Sequence, residues 1–262
     1  MTPPLPQDFL RPIAHRGLHD RAAGQVENSR AAVAAAAEAG YGVELDLQLS
    51  ADAEAMAFHD DALDRLTSER GPLRARSAAE LGRIALSGGG ETIPTLGEIL
   101  SLVAGRAPLL IELKDQSGAL GPQGAAPLAA RASALLAGYG GPAAVMSFNP
   151  HLVAEMARLA PETPRGLVAA GPACSTYAAC APERRAALAA LADWEAAGAS
   201  FVSYGWRDLP APAVSARRAA GAAVLCWTVR SPEQEAAARA HADAVTFEGY
   251  RPPVDPGAGD AI

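Results

Sequence analysis

The chain has 262 residues, half of them hydrophobic, with a formal net charge of −7 and a pI near 5.3. That balance supports a sizeable core and excludes a globally disordered chain. No basic footprint marks a nucleic-acid binder, and no stretch reaches the roughly 18 uninterrupted apolar residues of a membrane span. The opening MTPPLPQDFLRP has no basic run leading into an apolar one, so no secretory signal is expected. Cys174, Cys180 and Cys226 form no C-x-x-C pair and read as reduced thiols of a cytoplasmic enzyme. Arginine fills the cationic positions except one, Lys114, where a compact ammonium replaces a planar fork.

In chain order, apolar runs at 12–15, 43–47, 109–113, 143–148, 165–169, 200–204, 223–229 and 243–247 are strand candidates. Alanine-, leucine- and arginine-rich stretches between them, clearest at 29–40, 128–140, 182–198 and 215–221, have helical spacing. The alternation predicts a parallel sheet with helical crossovers, and its length suits a closed (β/α)8 TIM barrel. A doubly wound nucleotide fold would place a glycine-rich phosphate turn after the first strand, where HRGLHD stands instead. Residues 48–108 are too long for an ordinary loop. They hold a ribbon at 54–60, a short helix at 77–84 and a helix starting at Thr95, and they predict a small insertion within one domain spanning 1–262. Beyond Phe247 a Pro/Gly-rich tail gives no clear eighth helix.

Polar side chains inside apolar strands are costly unless paired or bound to a cation. Glu44 and Asp46 share one side of their strand by i, i+2 spacing, and Glu112 has the same setting on a neighbouring run. Two such carboxylates repel unless a cation separates them, so the three predict a cup for one hard divalent ion, Mg²⁺ or Ca²⁺. Alone, the E-x-D pair also fits a ribose-binding or solvated edge. His15 and His59 end strands near this cup and suit general base and general acid roles; packed or solvent-facing imidazoles, or a zinc ligand, are the alternatives. Arg16 and Lys114 add charge suited to phosphate, or they pair with the carboxylates. Glu27 reaches the metal or orients one of its ligands, Asn28 or Ser29 caps a helix, and Asp60 supports His59 or shapes a turn. Phe148 and Trp227 form either an apolar wall for a small substrate or part of the core. Together these residues predict a metal-dependent phosphodiesterase.

The ordered series HRG (15–17), EN (27–28), ELD (44–46), FHDDALDRLT (58–67), IPTL (93–96), IELK (111–114), SFN (147–149) and WTV (227–229) resembles the glycerophosphodiester phosphodiesterase family. The resemblance implies a TIM barrel with a small insertion after the second strand. It implies that His15 and His59 are the acid–base pair and that Glu44, Asp46 and Glu112 hold Mg²⁺ or Ca²⁺. Arg16 and Lys114 would contact phosphate, and Trp227 would border a glycerol pocket. The implied reaction converts a small-molecule glycerophosphodiester to glycerol 3-phosphate and an alcohol, directly or through a cyclic phosphate. The alternatives are release of a cyclic phosphate, action on lysophospholipids, or a non-catalytic phosphate-ligand protein.

The chain departs from the family pattern at three places. Ala53 replaces the usual turn glycine, which asks for a less strained turn. Arg230 stands where T-V-N is usual, and DAVTFE carries Ala244 and Glu248 where D-G-I-I-T-D is usual. These late-strand changes are expected to bear on substrate contacts more than on metal binding.

Overall fold

A computed structural model describes residues 2–254. Its strands are β1 Ile13–Ala14, β2 Gly42–Leu49, β3 Ala55–Ala57, β4 Leu109–Leu113, β5 Ala143–Ser147, β6 Arg165–Ala169, β7 Phe201–Gly205, β8 Ala223–Val229 and β9 Ala244–Phe247. The sheet runs β1-β9-β8-β7-β6-β5-β4-β2, and β1 pairs with β2 to close it. All eight members are parallel, so the fold is a (β/α)8 barrel. β3 is antiparallel to β2 and lies outside the ring.

The helices are α1 Arg30–Glu38, α2 Ala78–Leu81, α3 Leu96–Val103, α4 Ala125–Leu136, α5 Pro150–Leu159, α6 Pro182–Ala189, α7 Trp194–Ala197, α8 Pro212–Ala219 and α9 Pro232–Arg239. Side-chain caps from Ser29, Thr95, Asn149 and Ser231 start α1, α3, α5 and α9, and proline opens α5, α6, α8 and α9. The helix expected across 182–198 is broken. The chain turns left-handed at Leu191, whose buried side chain joins the layer between helices and strands. Among the described residues no helix follows β9. Tyr250 and Val254 pack on the outer core there, and the Tyr41 hydroxyl donates to the Pro252 carbonyl at 2.8 Å. The rest of the predicted tail, 255–262, lies outside the described residues.

Alternation along the strands sorts the side chains. Val43, Leu45 and Leu47 of β2 face outward against Val33, Ile99 and Leu128 of the helices. The inward side is filled from β1, β4, β7 and β8 by Ile13, Leu110, Phe201 and Leu225, with Phe9 closing the N-terminal end. Above this apolar plug the inward positions of β2 and β4 become Asp46 and Glu112, paired in register. The barrel therefore places its polar layer at the C-terminal ends of the strands.

Residues between β2 and α3 build a separate small core from Met56, Phe58, Leu63, Leu66, Leu73, Leu81, Leu86 and Ile93, to which Val26 of the first loop adds. Of the ribbon expected over 54–60, only Ala55–Ala57 pair as a strand. The turn before it does not relax around alanine: Ala53 adopts φ +61°, so the left-handed geometry is kept and the methyl group is strained.

Candidate active site and metal centre

The loop after β1 is set by a close approach. A Cβ on Gly17, which has φ +78°, would lie 2.7 Å from the Ala32 carbonyl carbon, so only glycine lets α1 pack this near. Arg16 beside it is also left-handed, at φ +56°, and its backbone N–H donates to Glu44 Oε2 at 2.8 Å. His15, Arg16, Glu44, Asp46, His59, Glu112, Lys114, Phe148 and Trp227 then line one cavity of about 510 Å³ at the C-terminal mouth of the barrel.

Glu44, Asp46 and Glu112 are all buried, and each turns an oxygen to within 4.8 Å of the others. Burial, aided by the Asp46 and Glu112 charges, holds the Glu44 carboxyl well above its ordinary range. Burial pushes Asp46 the same way, yet Lys114, the two histidines and Arg16 outweigh it and keep Asp46 ionised. Lys114 Nζ lies 2.9 Å from Glu112 and 3.4 Å from Asp46. Arg16 Nε is 3.3 Å from Asp46 without forming a hydrogen bond. Oxygen-only donors, three converging carboxylates and one that resists ionisation without a counter-charge fit a hard divalent cation.

Asn28 settles the question of the cap. Ser29 caps α1, accepting from Ala32 N at 3.2 Å. Buried Asn28 instead grips Asp46, donating from Nδ2 to Oδ2 at 3.0 Å and accepting from the Asp46 N–H at 3.1 Å. Glu27 does not enter the cup. It pairs with Arg16 at 2.6 Å and with both ends of the Arg65 guanidinium at 2.8 Å. Burial would raise Glu27, but these arginines bring it down to about 2.

Each candidate histidine has its Nδ1 held by a carboxylate. His59 Nδ1 lies 2.7 Å from Asp60, which is gripped in turn by Arg65 at 2.6 and 2.9 Å. Gln48, inward on β2, reaches the carbonyls of His59 and Asp60 at 2.9 and 2.6 Å and fixes the end of the ribbon. His15 Nδ1 lies 2.6 Å from Glu248, leaving Nε2 4.0 Å from Glu44. Burial lowers the His15 pKa, and the hydrogen bond to Glu248 opposes that fall.

Trp227 and Phe148 meet edge to face at 5.4 Å, and the Trp227 indole donates to the Ser203 carbonyl at 3.1 Å. They make a half-buried wall rather than closed core. Ser147 and Asn149 around Phe148 are structural, bonding the Leu113 and Gly121 carbonyls at 2.6 and 2.7 Å.

Residues 15–248 match the model of the Glycerophosphoryl diester phosphodiesterase family. The chain belongs to that family. It is an enzyme of this kind, a phosphoric diester hydrolase with a site able to hold a divalent metal. No curated protein matches it. Among solved structures it is similar to an Oleispira antarctica phosphodiesterase in complex with the product sn-glycerol-3-phosphate. The two are 26% identical, with TM-score 0.73, covering 94% of this chain and 93% of that one. It also shares its fold with the glycerophosphodiester phosphodiesterase of Parabacteroides distasonis (22% identity, TM-score 0.72, 90% and 92% covered). The Thermotoga maritima enzyme is another (24%, 0.66, 90% and 92%).

Some residues support the site from one remove. Arg65 and Gln48 were not singled out by sequence reasoning, although Gln48 continues the inward i, i+2 series of Glu44 and Asp46 and Arg65 lies within FHDDALDRLT. Glu248, read as a change bearing on substrate contacts more than on metal binding, touches His15 at 2.6 Å. Its partner is Arg230, another of the late-strand departures, at 2.6 Å. No local pattern points to that contact, which joins β9 to the loop after β1.

Proposed function

We propose that this chain hydrolyses glycerophosphodiesters to glycerol 3-phosphate and the free alcohol, using one divalent cation, Mg²⁺ or Ca²⁺. The observation that carries the proposal is the convergence of three buried carboxylates, two carboxylate-held imidazoles and two cations on one cavity. Glu44, Asp46 and Glu112 would hold the metal, which when bound supplies positive charge to the phosphoryl oxygens and lets Glu44 ionise. Arg16 and Lys114 meet the remaining phosphate charge. His15 and His59 both line the cavity, and with each Nδ1 engaged by a carboxylate, Nε2 is the nitrogen left for proton transfer. One takes the proton of the attacking oxygen as the new P–O bond forms, and the other protonates the alcohol oxygen as the old bond breaks. The product captured in the Oleispira antarctica relative supports glycerol 3-phosphate as the retained half. Trp227 and Phe148 offer the glycerol carbons an apolar surface. The attacking oxygen is either the neighbouring glycerol hydroxyl, which gives a transient cyclic phosphate, or water.

A lysophospholipid would want an apolar platform at the mouth. Among the described residues the exposed large hydrophobic side chain is Leu10, which precedes β1 at the opposite end of the barrel. No helix of the described residues is long and apolar enough to cross a membrane. The three free thiols support a cytoplasmic setting.

Incubation of the purified protein with glycerophosphocholine and glycerophosphoethanolamine, with Mg²⁺ or Ca²⁺, should release glycerol 3-phosphate. Absence of release from both diesters with both metals would overturn the proposal. Changing either His15 or His59 to alanine should lower kcat about 10²–10⁴-fold with the circular dichroism spectrum unchanged. Unchanged turnover in both variants would remove their assigned roles.

A further inference from the structure

The two imidazoles are supported in the same way from opposite sides of the cup. On one side runs His59–Asp60–Arg65, with distances of 2.7 and 2.6 Å. On the other runs His15–Glu248–Arg230, with both contacts at 2.6 Å. The second chain uses the two late-strand residues that depart from the family pattern. A carboxylate at 248 must cross from the end of β9 to the ring after β1, and glutamate reaches one methylene further than aspartate. Its two oxygens divide the work. Oε2 faces His15 Nδ1, while Oε1 takes the Arg230 Nε and Nη2 at 2.7 and 2.6 Å. Arg230 is itself set in place, because its N–H donates to Gln234 Oε1 at 2.9 Å and Nη1 reaches the Thr228 carbonyl at 3.4 Å. His19 Nε2, 3.7 Å from Glu248 Oε2, is the other group near that oxygen.

We propose that Glu248 and Arg230 form a paired positioning strut for His15. Glu248 holds the neutral ring in the Nδ1–H tautomer with Nε2 toward the cup, and Arg230 holds Glu248. Residues 230 and 248 then act as one unit on His15 rather than as two separate contacts to substrate. The inference rests on the proposed role of His15 in proton transfer. Arg230 also lines the cavity, so a direct substrate contact is the rival explanation. The rival places its effect in KM, whereas a strut places it in kcat.

The test is a double-mutant cycle of Glu248→Ala and Arg230→Asn on the metal-loaded enzyme, joined to ¹⁵N NMR of the histidine ring nitrogens in the same proteins. We expect Glu248→Ala to lower kcat on the order of 10²-fold. KM should change little, and His15 should lose its single Nδ1–H form. Arg230→Asn should lower kcat by about a tenth of that factor, and its effect should vanish in the Glu248→Ala background. Arg230→Lys should recover part of the loss. Thermal melts identify any variant that fails to fold, and Glu248→Gln, which keeps the shape without the charge, then takes its place. Three outcomes would overturn the proposal: losses confined to KM, equal effects of Arg230→Asn in both backgrounds, or an unchanged His15 tautomer in Glu248→Ala. The ring nitrogens report without turnover, so failure of the proposed reaction and failure of the strut are separately visible.

Discussion

Asn28 occupies a left-handed backbone position, φ +58°, and spends both ends of its amide on Asp46. Orienting partners of metal-binding carboxylates matter roughly as much as the ligands themselves, so Asn28→Ala should weaken divalent-cation binding about 10–100-fold. Titration calorimetry checks this, and Asn28→Gly, which keeps the backbone freedom, should show the same loss. Glu44 carries a second consequence. Its carboxyl keeps a proton above the usual range because burial and two neighbouring carboxylates disfavour the charge. The metal and the proton therefore compete, and cation binding should release protons and weaken as pH falls. Calorimetry in two buffers of different ionisation enthalpy measures that release; identical heats would contradict it. At Ala53 the methyl group is strained at φ +61°. Ala53→Gly should stabilise the fold by about 1 kcal/mol, an increase of roughly 2–4 °C in Tm. The three-carboxylate cup was legible, because charge inside an apolar strand at i, i+2 spacing needs a reason. The strain at Ala53 was not, since backbone angle leaves no mark on composition.

The small core between β2 and α3 carries His59 and is tied to the barrel loops by one arginine. Arg65 bonds Glu27 and Asp60 together, and Glu27 bonds Arg16. Glu27 ionises more readily in the folded protein, at about 2 against 4.5, so its contribution is fully present above pH 4.5. It is lost as pH falls from 4.5 through about 2. With Arg65 half exposed, the contribution is on the order of 2 kcal/mol. Arg65→Met should therefore flatten stability between those pH values and lower kcat by misplacing His59, as read from acid unfolding curves and initial rates. Strands and alanine-rich helices were legible from periodicity. α9 was not prominent, because its mixed polar face buries few large side chains: in PEQEAAAR, Glu235 and Ala238 are the buried residues. The break between α6 and α7 was hidden because alanine favours helix on both sides of it.

Across the whole molecule, the eight parallel strands and the ribbon after β2 bring residues 15, 44, 59, 112, 227 and 248, which the sequence separates widely, to one end of the barrel. The ring fixes this order without regard to local sequence. That is why early-strand motifs could be read one by one, while the contact between Glu248 and His15 emerged only once β9 was seen beside β1. An apolar plug below and a charged layer above give the cavity an apolar floor, a setting that strengthens electrostatic interactions made above it. On the proposed reading, this layer hydrolyses a glycerophosphodiester only when a divalent cation joins its three carboxylates. A phosphorus NMR time course of glycerophosphoethanolamine with the purified protein tests it in one sample. With Mg²⁺ or Ca²⁺ present, the diester signal should give way to glycerol 3-phosphate, stop on addition of chelator and resume when metal is restored. A diester that persists with metal present, or a rate that chelation leaves unchanged, would overturn the metal-dependent reaction.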